Sequence, residues 1–306
     1  MKVAALDLGT NSFLCLIAEV SDGIIETVYS DEVKVVRLGQ DVNRTKMFQP
    51  EALGRARECL SEFSKAIHHH KPDKVLAMAT SAARDVSNGS ELFKICQDLQ
   101  IPIEIIPGER EAEITFAGAT AHLPPDGKSR LVIDVGGGST EYILGKDRKV
   151  LISESKDIGC VRLTEKFIRH YPTPNHELRE LAHHIREETI DILAKIKKFG
   201  VDEVIAVAGT PTSIAAAEIG GFDEKKVDNY LLSANSLHGW IHKLAELNVD
   251  DRVAKFKIEK GRADVLPVGA MILWLALDTL GIERLKVSTK GVRYGVALEI
   301  WRRTQL

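Results

Sequence analysis

Two short stretches carry residue types suited to holding phosphate. Asp7-Leu8-Gly9-Thr10-Asn11-Ser12 recurs 127 positions later as Asp134-Val135-Gly136-Gly137-Gly138-Ser139, with the aspartate, one glycine and the serine in matching places. In both copies an apolar strand-like run precedes the aspartate and another follows the serine. Glycine lets backbone N–H groups close around an anion as a concave nest. Serine and threonine hydroxyls add donors without bulk. An aspartate at a strand end can hold Mg²⁺ directly or through water. Gly9, Thr10, Asn11, Ser12, Gly136, Gly137, Gly138 and Ser139 are therefore candidate phosphate ligands, and Asp7 and Asp134 candidate metal ligands. Either stretch alone could be a tight β-turn; the related pair points to an internal duplication. A third turn, Ala208-Gly209-Thr210-Pro211-Thr212, leads from a strand into a helix. Helix N-terminal amides suit phosphate, so Gly209 and Thr210 join the candidates, although an ordinary strand-to-helix turn reads the same way.

Hydrolysis also requires a carboxylate to orient or deprotonate water. Gly108-Glu109-Arg110-Glu111-Ala112-Glu113 opens a helix. At about 100° per residue, Glu111 points away from Glu109 and Glu113, so the three cannot share one role. Acidic residues favouring a helix N-terminus are the plainer explanation of the cluster. Glu141 starts the strand that follows the second turn. Neither turn is a Walker A loop, and a strand, not a helix, follows Gly136-Gly137-Gly138, which sets it apart from a dinucleotide fingerprint.

The elements that must position these residues follow from periodicity. Strands are expected at Val3–Leu6, Phe13–Val20 and from Ile24 to Leu38, the last two as a hairpin around Ser21-Asp22-Gly23. A helix with Pro50 in its first turn repeats Leu53, Ala56, Leu60, Phe63 and Ile67. Strands at Val75–Ala79 and Ile103–Ile106 alternate with helices from Ser90 and from Glu109. Leu123-Pro124-Pro125-Asp126-Gly127 is the strongest break, after which the order restarts. It runs through strands at Leu131–Val135, Glu141–Leu144 and Val150–Ser155, and a long helix with Asn175 as its candidate cap. A strand at Val204–Val207, a buried helix near Val265–Leu280, a strand at Leu285–Ser288 and a helix over Val292–Arg303 complete it. The domains expected are 1–123, with the helix 292–306 as a candidate addition, and 124–291 with extra helices.

The composition is that of a soluble α/β protein: 306 residues, 44% hydrophobic, 28% charged, net charge -3. That balance argues against a general nucleic-acid coat. The longest apolar run, Val265–Leu277, contains Pro267 and Gly269 and is shorter than the roughly 20 residues of a membrane span. The start of the chain has no secretory signal pattern. Cys15, Cys59, Cys96 and Cys160 are widely spaced in apolar segments and read as buried free thiols of a cytoplasmic protein. His238 and His242 have i,i+4 spacing but no evident third ligand. Lys255, Lys257, Lys260 and Arg262 read as a solvated face or as a path for a polyanion.

With these residues in view the chain resembles the exopolyphosphatase / guanosine pentaphosphate phosphohydrolase family of the actin-like, sugar-kinase and heat-shock ATPase superfamily. The most specific piece is Asp134–Glu141. Asp7–Ser12, Thr80–Arg84, Pro107–Ala112, Gly159–Glu165, Arg262–Pro267 and Gly291–Gly295 support it. The resemblance implies two duplicated ribonuclease H-like domains around a central cleft. It also implies Mg²⁺-assisted removal of the terminal phosphate of polyphosphate by water. On the matching positions it makes Glu111 the general base and Glu141 the second essential, metal-linked acid. Asp134 becomes a metal or phosphate ligand, and Arg84 a phosphate ligand. An unperturbed glutamate at Glu111, with a pKa near ~4.3, would be ionised at neutral pH. A homodimer is expected, with polyphosphate or guanosine polyphosphate as substrate and no nucleic-acid or membrane partner. Hydrolysis of guanosine pentaphosphate and a weakly catalytic polyphosphate- or alarmone-binding module are the alternatives. The chain departs from the family pattern at Leu14, where an Arg is common, and at Ala208, where a Gly is usual. It departs again at Thr289 and Tyr294, where Asp and Glu are common. It also ends at Leu306, without the C-terminal helical extension of longer members.

Overall fold

A computed structural model describes residues 1–305. They divide into two compact units: Met1–Leu123 with the segment from Lys290 onward, and Pro124–Thr289. The first unit contains β1 (Lys2–Leu8), β2 (Ser12–Ser21), β3 (Ile24–Val35), the single turn α1 (Val42–Thr45) and α2 (Pro50–His70). These are followed by β4 (Lys74–Ala79), the single turn α3 (Ser81–Arg84), α4 (Ser90–Asp98), β5 (Ile103–Ile105) and α5 (Gly108–Thr120). Its sheet has the order β3-β2-β1-β4-β5. β1, β2 and β3 form an antiparallel meander, and β4 and β5 extend the sheet parallel to β1.

Local sequence explains these elements. Asp22 and Gly23 both have left-handed backbones (φ 49 and 72), the two-residue hairpin turn whose twist matches its strands. Pro50 takes the first helical position of α2, where its missing N–H costs nothing. Leu53, Ala56, Leu60, Phe63 and Ile67 then face Ala4, Leu6 and Leu8 of β1 in one core. The alternate residues Val3 and Ala5 pack on the opposite face, against Ile114 of α5. Asp7 falls on that second face, at the end of β1.

The second unit contains β6 (Ser129–Val135), β7 (Thr140–Lys146), β8 (Lys149–Lys156), α6 (Cys160–Phe167), α7 (Asn175–Phe199), β9 (Glu203–Val207) and α8 (Gly209–Ile219). It continues with α9 (Glu224–Val227), β10 (Leu231–Ser233), α10 (Ala234–Ala245), α11 (Val249–Phe256), α12 (Lys260–Ala263), α13 (Leu266–Leu280) and β11 (Arg284–Val287). The last helix, α14 (Val292–Arg303), rejoins the first unit, where Val292, Val296 and Ile300 complete its second core. The sheet order is β10-β11-β9-β6-β7-β8. Read from β8 inward this repeats the first unit strand for strand, with β9 and β11 parallel to β6, and adds β10 antiparallel at the edge. The ribonuclease H-like topology is therefore present twice.

Two details differ from expectation. Asn175 is the first helical residue of α7 and makes no cap; Pro174, with extended ψ 153, occupies the capping position. β10 was not foreseen, because three residues carry no usable period. The apolar run forms α13, and no helix among the described residues is long and apolar enough to cross a membrane. All four cysteines are buried and free.

Candidate active site

In both units the candidate residues follow the C-terminal ends of parallel strands, where open α/β sheets bind ligands. In the first unit Gly9 N–H donates to Ser12 O (3.1 Å), closing the turn between β1 and β2. The loop after β3 holds the turn from behind. Gly39 N–H donates to Thr10 O (2.8 Å), and the N–H groups of Val36 and Arg37 donate to Asn11 O (3.0 and 2.8 Å). In a trans peptide the N–H points opposite the C=O. The amides of Asn11 and Ser12 are thereby directed away from that loop.

Glu111 lies in the first turn of α5 and is 6% exposed, whereas Glu109 and Glu113 are exposed, as the helical register requires. Arg84, at the end of α3, donates from one Nη1 to Glu111 Oε2 (2.7 Å) and to Ile106 O (2.8 Å). Burial pushes the Glu111 carboxyl above the usual range, and the Arg84 guanidinium opposes that push. The sequence expectation of an ordinary glutamate is corrected here: desolvation disfavours the charged form of a carboxyl whose side chain is this enclosed. Next to it, Arg110 reaches the buried Glu299 of α14 (2.7 Å), which also holds Arg302 and Arg303. This cluster keeps Glu299 ionised, with a pKa of about 2, and ties the first turn of α5 in place.

In the second unit α6 does the backing. Its first residues donate into the triple-glycine turn. Cys160 N–H reaches Gly136 O (2.9 Å), Val161 and Arg162 N–H reach Gly137 O (2.9 and 3.0 Å), and Gly159 N–H reaches Gly138 O (3.2 Å). Arg162 Nε adds a bond to Gly138 O (2.7 Å). Three successive carbonyls thus face α6, and by the same planarity the amides of Gly137, Gly138 and Ser139 face the other way, as an anion nest requires. A side chain at Gly159 would meet the Gly137 backbone at 2.3 Å, so this close approach needs glycine. Cys160 lies beneath the turn, its thiol pushed up to about 12 by burial, an inert packing group.

Asp134 and Glu141 are directly opposed on β6 and β7. They are 6% and 0% exposed. Ser155, opposite Glu141 on β8, donates from Oγ to Glu141 Oε1 (2.7 Å). Like charges directly opposed on a sheet repel, and a divalent cation relieves that repulsion. The donors are hard oxygens, the set that suits Mg²⁺ over softer metals. Mg²⁺ takes one or two carboxylates and fills its remaining positions with water and substrate phosphate. No cluster of three or more His, Cys, Asp or Glu forms a metal cage among the described residues. Asp134 and Glu141 fit the ion as a pair. Asp7 has apolar Leu14 opposite it instead.

The third turn opens α8. Ala208 has φ 72 and ψ -165, a backbone region that disfavours any residue with a Cβ. Thr210 is buried, packed so tightly on Gly269 of α13 that a side chain there would meet its Oγ1. What this turn offers a ligand is therefore its backbone. In the sequence Arg262 belongs to a basic stretch and opens the Arg262–Pro267 segment of the family resemblance, neither of which assigns it a partner. The structure sets its guanidinium on this turn, with Nη1 3.4 Å from Gly209 O and Nε 3.2 Å from Glu259 Oε2. A contact spanning 53 residues leaves no local signal. His238 and His242 face each other (Nε2···Nε2 3.3 Å), and the His238 ring packs on Trp274.

Residues 16–304 match the model of the Ppx/GppA phosphatase family. The chain is 34% identical, over 98% of both sequences, to Exopolyphosphatase 2 of Mycobacterium tuberculosis. The crystal structure of an exopolyphosphatase-like protein superposes with a TM-score of 0.92 at 32% identity, covering 99% of this chain and 100% of that one. A Ppx/GppA family member from Aquifex aeolicus gives 0.82 at 30% identity, covering 100% and 99%.

Proposed function

The chain belongs to the Ppx/GppA phosphatase family, and we propose that it hydrolyses the terminal phosphoanhydride bond of inorganic polyphosphate. The observation that carries this reading is the triple-glycine turn, whose carbonyls are tied to α6 so that its amides face away from that helix, as a phosphate nest would need. Such preorganised donors take up charge as it develops on a transferring phosphoryl group. The two carboxylates beside them, Asp134 and Glu141, would hold Mg²⁺, which when bound neutralises the phosphate oxygens. The amides of Asn11 and Ser12, and Arg84, grip phosphate in the first unit. Glu111 orients the attacking water and accepts its proton.

The second reading is hydrolysis of guanosine pentaphosphate. It is favoured by the amides at the start of α8 with Arg262 beside them, a further anion position that a linear chain end does not need. In both readings the protein is cytoplasmic and homodimeric, and neither nucleic acid nor membrane takes part. Phosphate release from polyphosphate, guanosine pentaphosphate and ATP, compared in one assay, tests the proposal. Polyphosphate should turn over fastest. Faster turnover of the pentaphosphate would move the assignment to the second reading. Binding of either polyanion without release would make the chain a binding module.

A further inference from the structure

We propose that Ser155 sets which divalent cation the Asp134–Glu141 pair accepts, by engaging one carboxylate oxygen of Glu141 so that the side chain meets a cation through the other. The inference rests on the metal reading of that pair. Its first support is the Ser155 Oγ to Glu141 Oε1 hydrogen bond, 2.7 Å, to a carboxylate that is 0% exposed. A bond to a charged acceptor inside the protein is stronger than one at the surface.

The second support is the register. The hairpin turn Asp147-Arg148 pairs Lys146 with Lys149 and Gly145 with Val150. Continued without interruption, that register would put Glu154, another carboxylate, opposite Glu141. It slips by one between Leu144 and Gly145, so that Leu144 faces Ile152 and Glu141 faces Ser155. Leu151 is the extra residue, and its side chain is exposed. Bulges of this kind re-aim side chains next to functional sites. Here the bulge exchanges a third carboxylate for a hydroxyl donor.

The coordination chemistry gives the consequence. Ca²⁺ takes six to eight oxygens at about 2.3–2.6 Å and often grips a carboxylate by both oxygens. Mg²⁺ demands octahedral geometry at about 2.0–2.1 Å and uses single oxygens. A glutamate with one oxygen engaged by Ser155 is matched to the second ion. Removing the hydroxyl releases that oxygen for two-point contact.

Calorimetric titration of Mg²⁺ and of Ca²⁺ onto the full-length protein reads this without turnover. In Ser155→Ala the ratio of the two dissociation constants should move toward Ca²⁺ by roughly 3–10-fold, the worth of one such hydrogen bond. Ser155→Thr, which keeps the hydroxyl, should retain the wild-type ratio. If Ser155→Ala fails to fold, Ser155→Cys, a weak donor of similar size, must show the same displacement. An unchanged ratio in the folded variant, with Glu141→Gln still abolishing binding, overturns the role of Ser155 and leaves the metal pair standing. A wild-type protein that binds neither ion overturns the metal pair and this inference together.

Discussion

The two glycine turns occupy the same place in the two units, yet the residues that flank them differ. Both join the first and second strands of their unit's antiparallel meander, and both are held from behind by the segment after the third strand. In the first unit that segment is a loop, and the residues opposed at the level of Asp7 are Leu14 and then Val33, both apolar. In the second unit it is a helix N-terminus, and the corresponding row is Asp134, Glu141 and Ser155. The difference supports the proposal that the duplicated frame keeps an anion-binding backbone in both copies while opposed carboxylates suited to a cation stand in only one. On this account the first turn grips phosphate, the second holds phosphate and metal, and the base comes from α5.

The largest expected effect isolates the base. Glu111→Gln keeps size and shape and should lower the turnover number by roughly 10²–10⁴, the span of a general base, with little change in substrate affinity. Glu109→Gln should stay within about twofold, because that residue is on the exposed side of α5. Stopped-flow phosphate release measures both, and loss of activity in Glu109→Gln instead would move the base to a neighbour.

Next, exchanging the asymmetric row breaks the comparison directly. Glu141→Leu gives the second turn the side chain of the first and should cost at least about 10² in rate at fixed Mg²⁺, as expected when charge stabilisation is lost. Leu14→Ala, at the equivalent position, should cost no more than a few-fold. Equal losses in the two variants would show the turns to be functionally alike.

The backing of the turns sets a smaller contrast. A Cβ at Gly159 meets backbone at 2.3 Å, whereas one at Gly39 meets the Thr10 side chain at 2.2 Å. Backbone cannot step aside and a side chain can turn. Gly159→Ala should therefore destabilise by about 1–3 kcal/mol and Gly39→Ala by less, read from denaturant midpoints.

Much of this frame was legible in the sequence. The Asp7–Ser12 and Asp134–Ser139 echo needs only matching residue types, and Asp22-Gly23 announces its turn through glycine. The Asp147-Arg148 turn did not, because Arg148 (φ 67) stands at the second left-handed position, where glycine is the usual signal. The Ser155–Glu141 pair depends on a one-residue slip that no period reveals, and the raised Glu111 carboxyl on burial contributed by distant segments. Arg262 reaches Gly209 only through the fold.

The smallest effect is on pH dependence. With Glu111 proposed as the base, activity would require it ionised, so the rate should fall as pH drops through its pKa, which burial places above the ordinary carboxylate range. Arg84 opposes that rise, so Arg84→Met should move the acid limb of kcat/KM to higher pH. A limb that moves to lower pH would contradict the pairing.

The central claim is hydrolysis of a terminal phosphate by water with a cation at the Asp134–Glu141 pair. It is tested most directly by following phosphate release from polyphosphate in ¹⁸O-water, with Mg²⁺ and then with excess EDTA. The account predicts release of singly labelled phosphate in Mg²⁺ and its loss in EDTA. Undiminished release in EDTA, or phosphate free of label, would contradict it.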